Sequence, residues 1–599
     1  MKPIANNYSF FSKTYEKDLA IADELNRQSS RLTTMRTVTF ILLVFSFAAG
    51  YDGHTVGTMA GILLLVSFCL LVRRHSRLKK KQQFTACHTR VVKDFLSRFD
   101  GSWQDFADDG SALQNKDQPQ QIDLHLFGPA SFYQYLSCAR TLRGKKRLAA
   151  ALTTTPPSRQ KIMARQESVA ELIGQKEFAL QLLAQAAQLP DRHDTTELLN
   201  EIEAPLSQGS HAIVRYRTAW ILPAITLLSL LLAAFTVVSW TIPGLLLGLQ
   251  FLLATAFHQH NQTILAPLNH LTHELHFYEA IFRDLEAADF QAASLSGLKL
   301  RLQTGQASGS LHRLAALTDA VALTRNFFFA LLANTLLLWD CHMAARFTRW
   351  HELASGNLRE WMDIWSEFEV LLSLAVIGQT REQWTFPELK DGQPSLCARD
   401  LSSLLFAEDK AVPNDSSFTA GTCILTGSNM SGKTTYMRTL AGAVVLAYAG
   451  APVCARAFSL TPLHIFTSIQ VNDDMSLGIS TFYAELLRIK QMVTFSQREL
   501  PMLICIDEIF KGTNSADRII GAREAIKQLT RAWCITLVTT HDFELCDLKS
   551  PNDLPVTNCH FEEYYEDNKI KFDYKLKPGR CQTTNARYLL RMAGILSSE

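Results

Sequence analysis

Residues 427–434 read GSNMSGKT and fit the pattern G-x-x-x-x-G-K-[ST]. An apolar run (423–427) leads into them and a stretch with helical patterning (435–446) follows, which is the strand–loop–helix context the pattern requires. Glycines let such a loop curl so that several backbone N–H groups face one anion, and the helix N-terminus adds a partial positive charge. The lysine can reach the β- and γ-phosphates of a nucleotide, and the threonine hydroxyl can ligate Mg²⁺. The spacing therefore predicts an ATP site made by Gly427, Ser428, Asn429, Met430, Ser431, Gly432, Lys433, Thr434 and Thr435.

Two further apolar runs, MLICID (502–507) and CITLVTT (534–540), alternate with helical stretches, and all three read as parallel strands buried on both faces. The predicted fold class for residues 396–599 is thus an α/β phosphate-loop ATPase domain. Asp507 closes the second run and is placed to hold Mg²⁺ with Thr434. Glu508 follows it and is placed to orient or deprotonate an attacking water. His541 follows the third run, where it can hydrogen-bond a γ-phosphate or that water. Lys433, Glu508 and His541 are the expected catalytic set.

Upstream the texture differs. Residues 37–50 (TVTFILLVFSFAAG) and 56–72 (VGTMAGILLLVSFCLLV) are each close to the about 17–20 residues that span a bilayer. Arg27, Arg31 and Arg36 precede the pair, Arg73, Arg74, Arg77 and Lys79 to Lys81 follow it, and the connecting loop has no Lys or Arg. That bias puts both ends on the cytoplasmic side of an inner (cytoplasmic) membrane, with Lys79 to Lys81 beside the lipid. Residues 219–240 and 245–257 read as a second hairpin, with Arg215 and Arg217 before it and Trp220 and Trp240 near the ends of its first arm. The shorter run 326–339 reads as a buried soluble helix. The expected organisation is an N-terminal helix and hairpin (1–82), a first all-α core and lever part (83–208), a second hairpin (209–260), a second helical part (261–395) and the ATPase domain. Residues 160–188 read as one amphipathic helix after the break at Pro156 and Pro157. His270, His273 and His276 share a spacing of three and read as a solvated or core-edge helix face. Only 19% of residues are charged and the net charge is +2, which suits partial residence in lipid and argues against a wholly basic nucleic-acid coat. The 12 cysteines are scattered and read as reduced.

Five segments in order resemble the ATPase domain of the MutS mismatch repair family: VPND (412–415), LTGSNMSGKTTYMR, VNDDMSLGISTFYAEL (471–486), IDEIFKGTNSADR (506–518) and TLVTTHDFEL (536–545). A looser similarity, beginning DLHLFGPASFYQYLSCARTLRGKKRLAAALTTTP at Asp123, resembles the start of that family's helical core and lever. The resemblance implies a homodimer joined head to tail through its ATPase domains. In it Ser480 and Thr481 would touch the γ-phosphate held by the other subunit, and Asn429 would contact phosphate. It also implies DNA as a partner, for whose phosphates Arg140, Arg143, Lys145, Lys146 and Arg147 are basic candidates, the same residues reading equally as a solvated helix face or as contacts to anionic lipid headgroups. Two features depart from the family. No room is left before Asp123 for a mismatch-reading domain with its Phe-x-Glu wedge, and the triplets at Phe277–Glu279 and Phe406–Glu408 stand elsewhere. Ala411 aligns where relatives carry an adenine-stacking aromatic. Beside a membrane-anchored MutS-like ATPase, two alternatives follow from the same residues: a transport ATPase, which the near absence of charge inside the apolar helices disfavours, and an ATP-sensing scaffold that binds no DNA, which Glu508 disfavours.

Overall fold

The computed structural model describes residues 6–51, 55–115, 117–189, 196–204, 220–270, 274–470, 481–511, 515–549, 553–566 and 569–581. Helices α1 (Asn6–Tyr51) and α2 (Thr55–Asp100) form an antiparallel pair, each running unbroken from a polar end into an apolar one. Contacts at the polar end fix their register. Phe11 stacks on Phe95 with ring centroids 4.8 Å apart, Asp18 Oδ2 lies 2.5 Å from His88 Nδ1, and Gln82 Nε2 donates to Asn26 Oδ1 at 2.8 Å. The apolar end is bare, with Phe45 68%, Val56 78% and Leu63 70% exposed.

The second apolar pair consists of helices Ile221–Ala234 and Thr241–His270. Its first arm is shorter than the apolar run, because a turn breaks the helix after Ala234, and its second continues well past residue 257 into polar sequence. Among the described residues, three helices are long and apolar enough to cross a membrane, α1, α2 and the one starting at Thr241, or four if the bent pair Ala307–Leu323 and Phe327–Leu337 counts as one span. The most apolar windows of the first three are 11%, 6% and 11% buried, so protein packing does not account for these side chains. The reading of 326–339 as a buried helix is corrected. Helix Phe327–Leu337 turns 109° from the helix before it and leaves Phe327 72% and Phe328 79% exposed. Apolarity alone could not tell a core face from a bare one.

The helical region centres on Leu358–Thr380, whose side chains are buried over nearly its whole length. Residues 160–188 form two helices, Arg159–Gly174 and Lys176–Ala186, broken at Gln175. His276 pairs with Asp319 at 3.0 Å, while His273 and the side chain of His270 lie outside the described residues. The basic cluster is also corrected as an open patch. Lys145 is buried against Asp108 (2.9 Å), Arg143 meets Asp363 (2.5 Å), Arg147 meets Asp363 and Glu367, and Arg140 approaches Asp94 (3.7 Å). Of the five, Lys146 alone is classed as exposed.

The C-terminal region holds strands β1 (Glu388–Leu389), β2 (Ser395–Leu401), β3 (Asn414–Thr419), β4 (Gly421–Thr426), β5 (Ala457–Leu460), β6 (His464–Ser468), β7 (Met502–Ile506), β8 (Cys534–Thr539), β9 (Val556–His560), β10 (Glu563–Glu566), β11 (Lys569–Phe572) and β12 (Lys577–Pro578). A six-stranded sheet has the order β12-β9-β4-β8-β7-β6, parallel except for β12. The three strands read from sequence are its centre. Their side chains alternate between two cores. Leu425, Leu503, Cys505 and Leu537 join the large core that runs through the helical region, and Ile424, Ile504, Ile506 and Val538 join a second one under helices Thr481–Ser496 and Ser515–Leu529. Both faces are covered, as a parallel sheet requires. A smaller sheet, β1-β5-β2-β3, and the ribbon β10-β11 complete the region.

Glu369 is fully buried in Leu358–Thr380 and caps the start of helix Leu142–Ala151, accepting from Arg140 N (2.8 Å), Thr141 N (3.0 Å) and the Thr141 hydroxyl. Burial pushes its carboxyl up to about 7. A side chain on Gly144 would collide with that carboxylate. Gly144→Ala is therefore expected to destabilise the protein by about 1–3 kcal/mol through overpacking, measured as a lower midpoint of thermal unfolding.

Candidate functional site

The loop after β4 turns on glycines at φ +143° (Gly427) and +104° (Gly432), with Met430 also left-handed at +69°. It opens helix Lys433–Ala449. Lys433 is buried and folds back on its own loop, donating from Nζ to the carbonyls of Gly427 and Ser428, both at 2.8 Å. Burial lowers its ammonium pKa, although Glu508 and Asp507 oppose the shift. Ser431 Oγ is buried without a hydrogen-bond partner among the described residues. Asn429 and Met430 are exposed at the tip, and Ser428 bonds Glu563.

Register brings the rest together. Leu425 of β4 pairs with Thr539 of β8, and Ile506 of β7 pairs with Val538, so the three strand ends stand side by side. Thr434 Oγ1 donates to Asp507 Oδ2 (2.8 Å), and Thr539 Oγ1 donates to Asp507 Oδ1 (2.6 Å) while accepting from Glu508 N (2.8 Å). One hydroxyl thus sets both acids. Glu508 has a left-handed backbone (φ +52°) and lies 3.2 Å from His541 Nε2 and 2.8 Å from Lys511 Nζ. His541 Nε2 also lies 2.9 Å from Asn429 Oδ1. Arg518 grips Asp542, next to His541, with two bonds of 2.8 Å. Every expected site residue except Ser480 lies within the described residues, and Thr481 opens helix Thr481–Ser496. The hydroxyl–carboxylate pair Thr434–Asp507 has the oxygen donors a Mg²⁺ ion takes.

Beside the loop lies a pocket of about 590 Å³ lined by Phe406, Ala411, Asn429, Lys433, Thr434, Glu508 and Tyr574, among others. Tyr574 went unread in the sequence. Its ring lies 3.1 Å from where a Gly432 Cβ would stand. Asn414, within the VPND segment, holds this tyrosine's stretch by donating to Tyr574 O (2.9 Å) and accepting from Leu576 N (2.7 Å). The only advance signal was an aromatic far downstream of the loop.

The family model for MutS domain V matches residues 423–597. These residues therefore form a MutS domain V. It is 31% identical over 251 residues to a DNA mismatch repair protein MutS of Streptococcus pyogenes serotype M1, covering 41% of this chain and 29% of that protein. Over 177 residues it is 34% identical to DNA mismatch repair protein MutS 2 of Haloarcula marismortui, covering 29% and 18%. A MutS of Psychrobacter cryohalolentis is 29% identical over 238 residues, covering 36% and 23%. The chain spans less than a third of the length of these curated MutS relatives.

His541 first, and Lys511 after it, hold the Glu508 carboxyl at about 2, against the opposing effect of burial. A lowered carboxylate contributes stability above its unfolded-state pKa, roughly 4.3, and loses it as pH falls through the folded value. The stability difference between wild type and Glu508→Gln is expected to shrink as pH falls from about 5 toward 2, measured by denaturant unfolding. Lys511 is largely exposed, so added salt should weaken its share.

Proposed function

We propose that this chain is a membrane-anchored, MutS-like ATPase whose nucleotide state switches a dimer. The observation that carries the reading is the convergence, at three neighbouring strand ends, of the loop lysine, a hydroxyl–acid pair and a carboxylate–imidazole pair beside an aromatic-walled pocket. Open α/β sheets bind ligands in this crevice.

ATP enters with its base between Tyr574 and Phe406, which replaces the stack missing at Ala411. The loop amides and Lys433 take the phosphates, and Lys433 exchanges two carbonyl partners for phosphate oxygens. Thr434 and Asp507 would hold Mg²⁺, which when bound neutralises charge on the β- and γ-phosphates. Glu508, ionised far below neutral pH, is a weak base. It orients the attacking water through a hydrogen bond, with His541 fixing its direction. The water oxygen bonds to the γ-phosphorus as the β–γ bridge breaks, and the water's proton leaves with phosphate. Ser480 and Thr481 complete the site across a homodimer.

The bare apolar helices support anchoring in an inner (cytoplasmic) membrane, with the ATPase domain in the cytoplasm. DNA is the partner the relatives' names suggest. The basic residues 140–147 give it little support, since most are engaged in internal ion pairs. Salt-sensitive DNA binding by detergent-purified protein tests that arm.

Lys433→Ala is expected to weaken nucleotide binding by about 10–100-fold, the loss of charged hydrogen bonds. Glu508→Gln should keep binding and lower turnover by about 10²–10⁴-fold. Undiminished turnover in both would remove the proposed engine. Tyr574→Ala should weaken ATP affinity by about 5–100-fold, as loss of an aromatic stack does, with smaller effect on kcat, read from equilibrium binding and steady-state rates.

A further inference from the structure

Asp123 comes from the helical region yet is fully buried against the end of β6. Its carboxylate accepts from Thr467 Oγ1 (2.7 Å), Ile469 N (3.0 Å) and Gln470 N (3.0 Å), and it pairs with Arg488 Nη1 at 3.0 and 3.2 Å. Its own carbonyl accepts from Arg438 Nε (2.8 Å), one turn beyond Thr434 on the loop helix. Arg488 lies two turns along Thr481–Ser496 from Thr481. One turn nearer Thr481, Glu485 of the same helix accepts from Phe510 N (2.6 Å), just past the acid pair. Ser468 O accepts from Asp507 N at 2.9 Å.

These bonds make helix Thr481–Ser496 a rod held at two points, to the helical region through Arg488–Asp123 and to the Asp507–Glu508 segment through Glu485. We propose that Asp123 is the positioning residue through which the helical region sets this rod, and with it Thr481, relative to the nucleotide. An inert wedge would be filled by apolar atoms. Here a buried carboxylate instead collects four donor groups from two elements on either side of residues 471–480, and a charged pair of this kind holds one geometry only while both partners stay in register. A shift of the helical region must break or carry these bonds together. The proposal rests on the ATPase reading and adds a control point to it.

The test uses the full chain in detergent with Asp123→Asn, which keeps the shape and loses the charge, and with Arg488→Ala and Arg488→Lys. Asp123→Asn and Arg488→Ala are expected to lower kcat about tenfold. Affinity for a non-hydrolysable ATP analogue, measured at protein concentrations too low for dimers, should stay within about twofold. Arg488→Lys should recover part of the loss, and Asp123→Asn combined with Arg488→Ala should cost little more than either alone. Unchanged kcat in Asp123→Asn, or affinity falling in step with kcat, overturns the proposal and leaves the ATPase reading standing. If wild type itself neither binds nor hydrolyses ATP, that reading fails, and amide exchange at Ile469 and Gln470 decides the clamp. Faster exchange in Asp123→Asn supports it, and unchanged exchange overturns it.

Discussion

Everything at the candidate site depends on β4, β8 and β7 ending side by side. Parallel pairing fixes this level: Leu425 faces Thr539 and Val538 faces Ile506, so the residues that follow each strand emerge into one crevice. Lys433, Glu508 and His541 are far apart in sequence, and no local interaction would gather them. The chain then departs from regular backbone at Met430, Glu508 and Phe510, all left-handed. Such conformations persist where surrounding bonds over-determine them. Glu508 N is held by Thr539 of β8 and Phe510 N by Glu485 of helix Thr481–Ser496, so the irregular geometry is supported from a strand that aligns the site and from the helix beside it.

What could be read in advance was what is local. A glycine-rich loop between a strand and a helix, an acid after an apolar strand and a histidine after another are contiguous patterns, and two-sided burial makes each strand a short continuous apolar run. Tyr574 was illegible because its place is set by Asn414, 160 residues upstream. The cluster Arg140–Arg147 misled for the mirror reason. Cations are visible in sequence, but Asp363 and Glu367, which neutralise two of them more than 200 residues on, are not tied to them by any pattern. The break at Gln175 follows Gly174, a single residue whose signal is too weak to override the amphipathic run around it, and the bare face of Phe327–Leu337 depends on a 109° turn that hydropathy does not encode. Asp123 stood in the sequence only as the first residue of a loose resemblance, since its five donors come from residues 438 to 488.

The large core carries a mechanical consequence. It is continuous from Phe11 at the base of α1, through Leu371 and Val376 in the central helix, to Val444 and Leu537 beside the candidate site. Close-packed interiors do not shear gradually. They hold one packing or switch to another. On the proposed reading, a change at the nucleotide therefore reaches the helical region as a step between discrete arrangements, with polar clamps such as Asp123–Arg488 deciding which arrangement is held. Because α1 and α2 join that same core at Phe11 and Phe95 and run without a break into their apolar halves, a pair of such chains anchored in one membrane would have its freedom of rotation limited at the far end as well. The hairpin would then be more than a tether. It would constrain the geometry in which two nucleotide sites can meet.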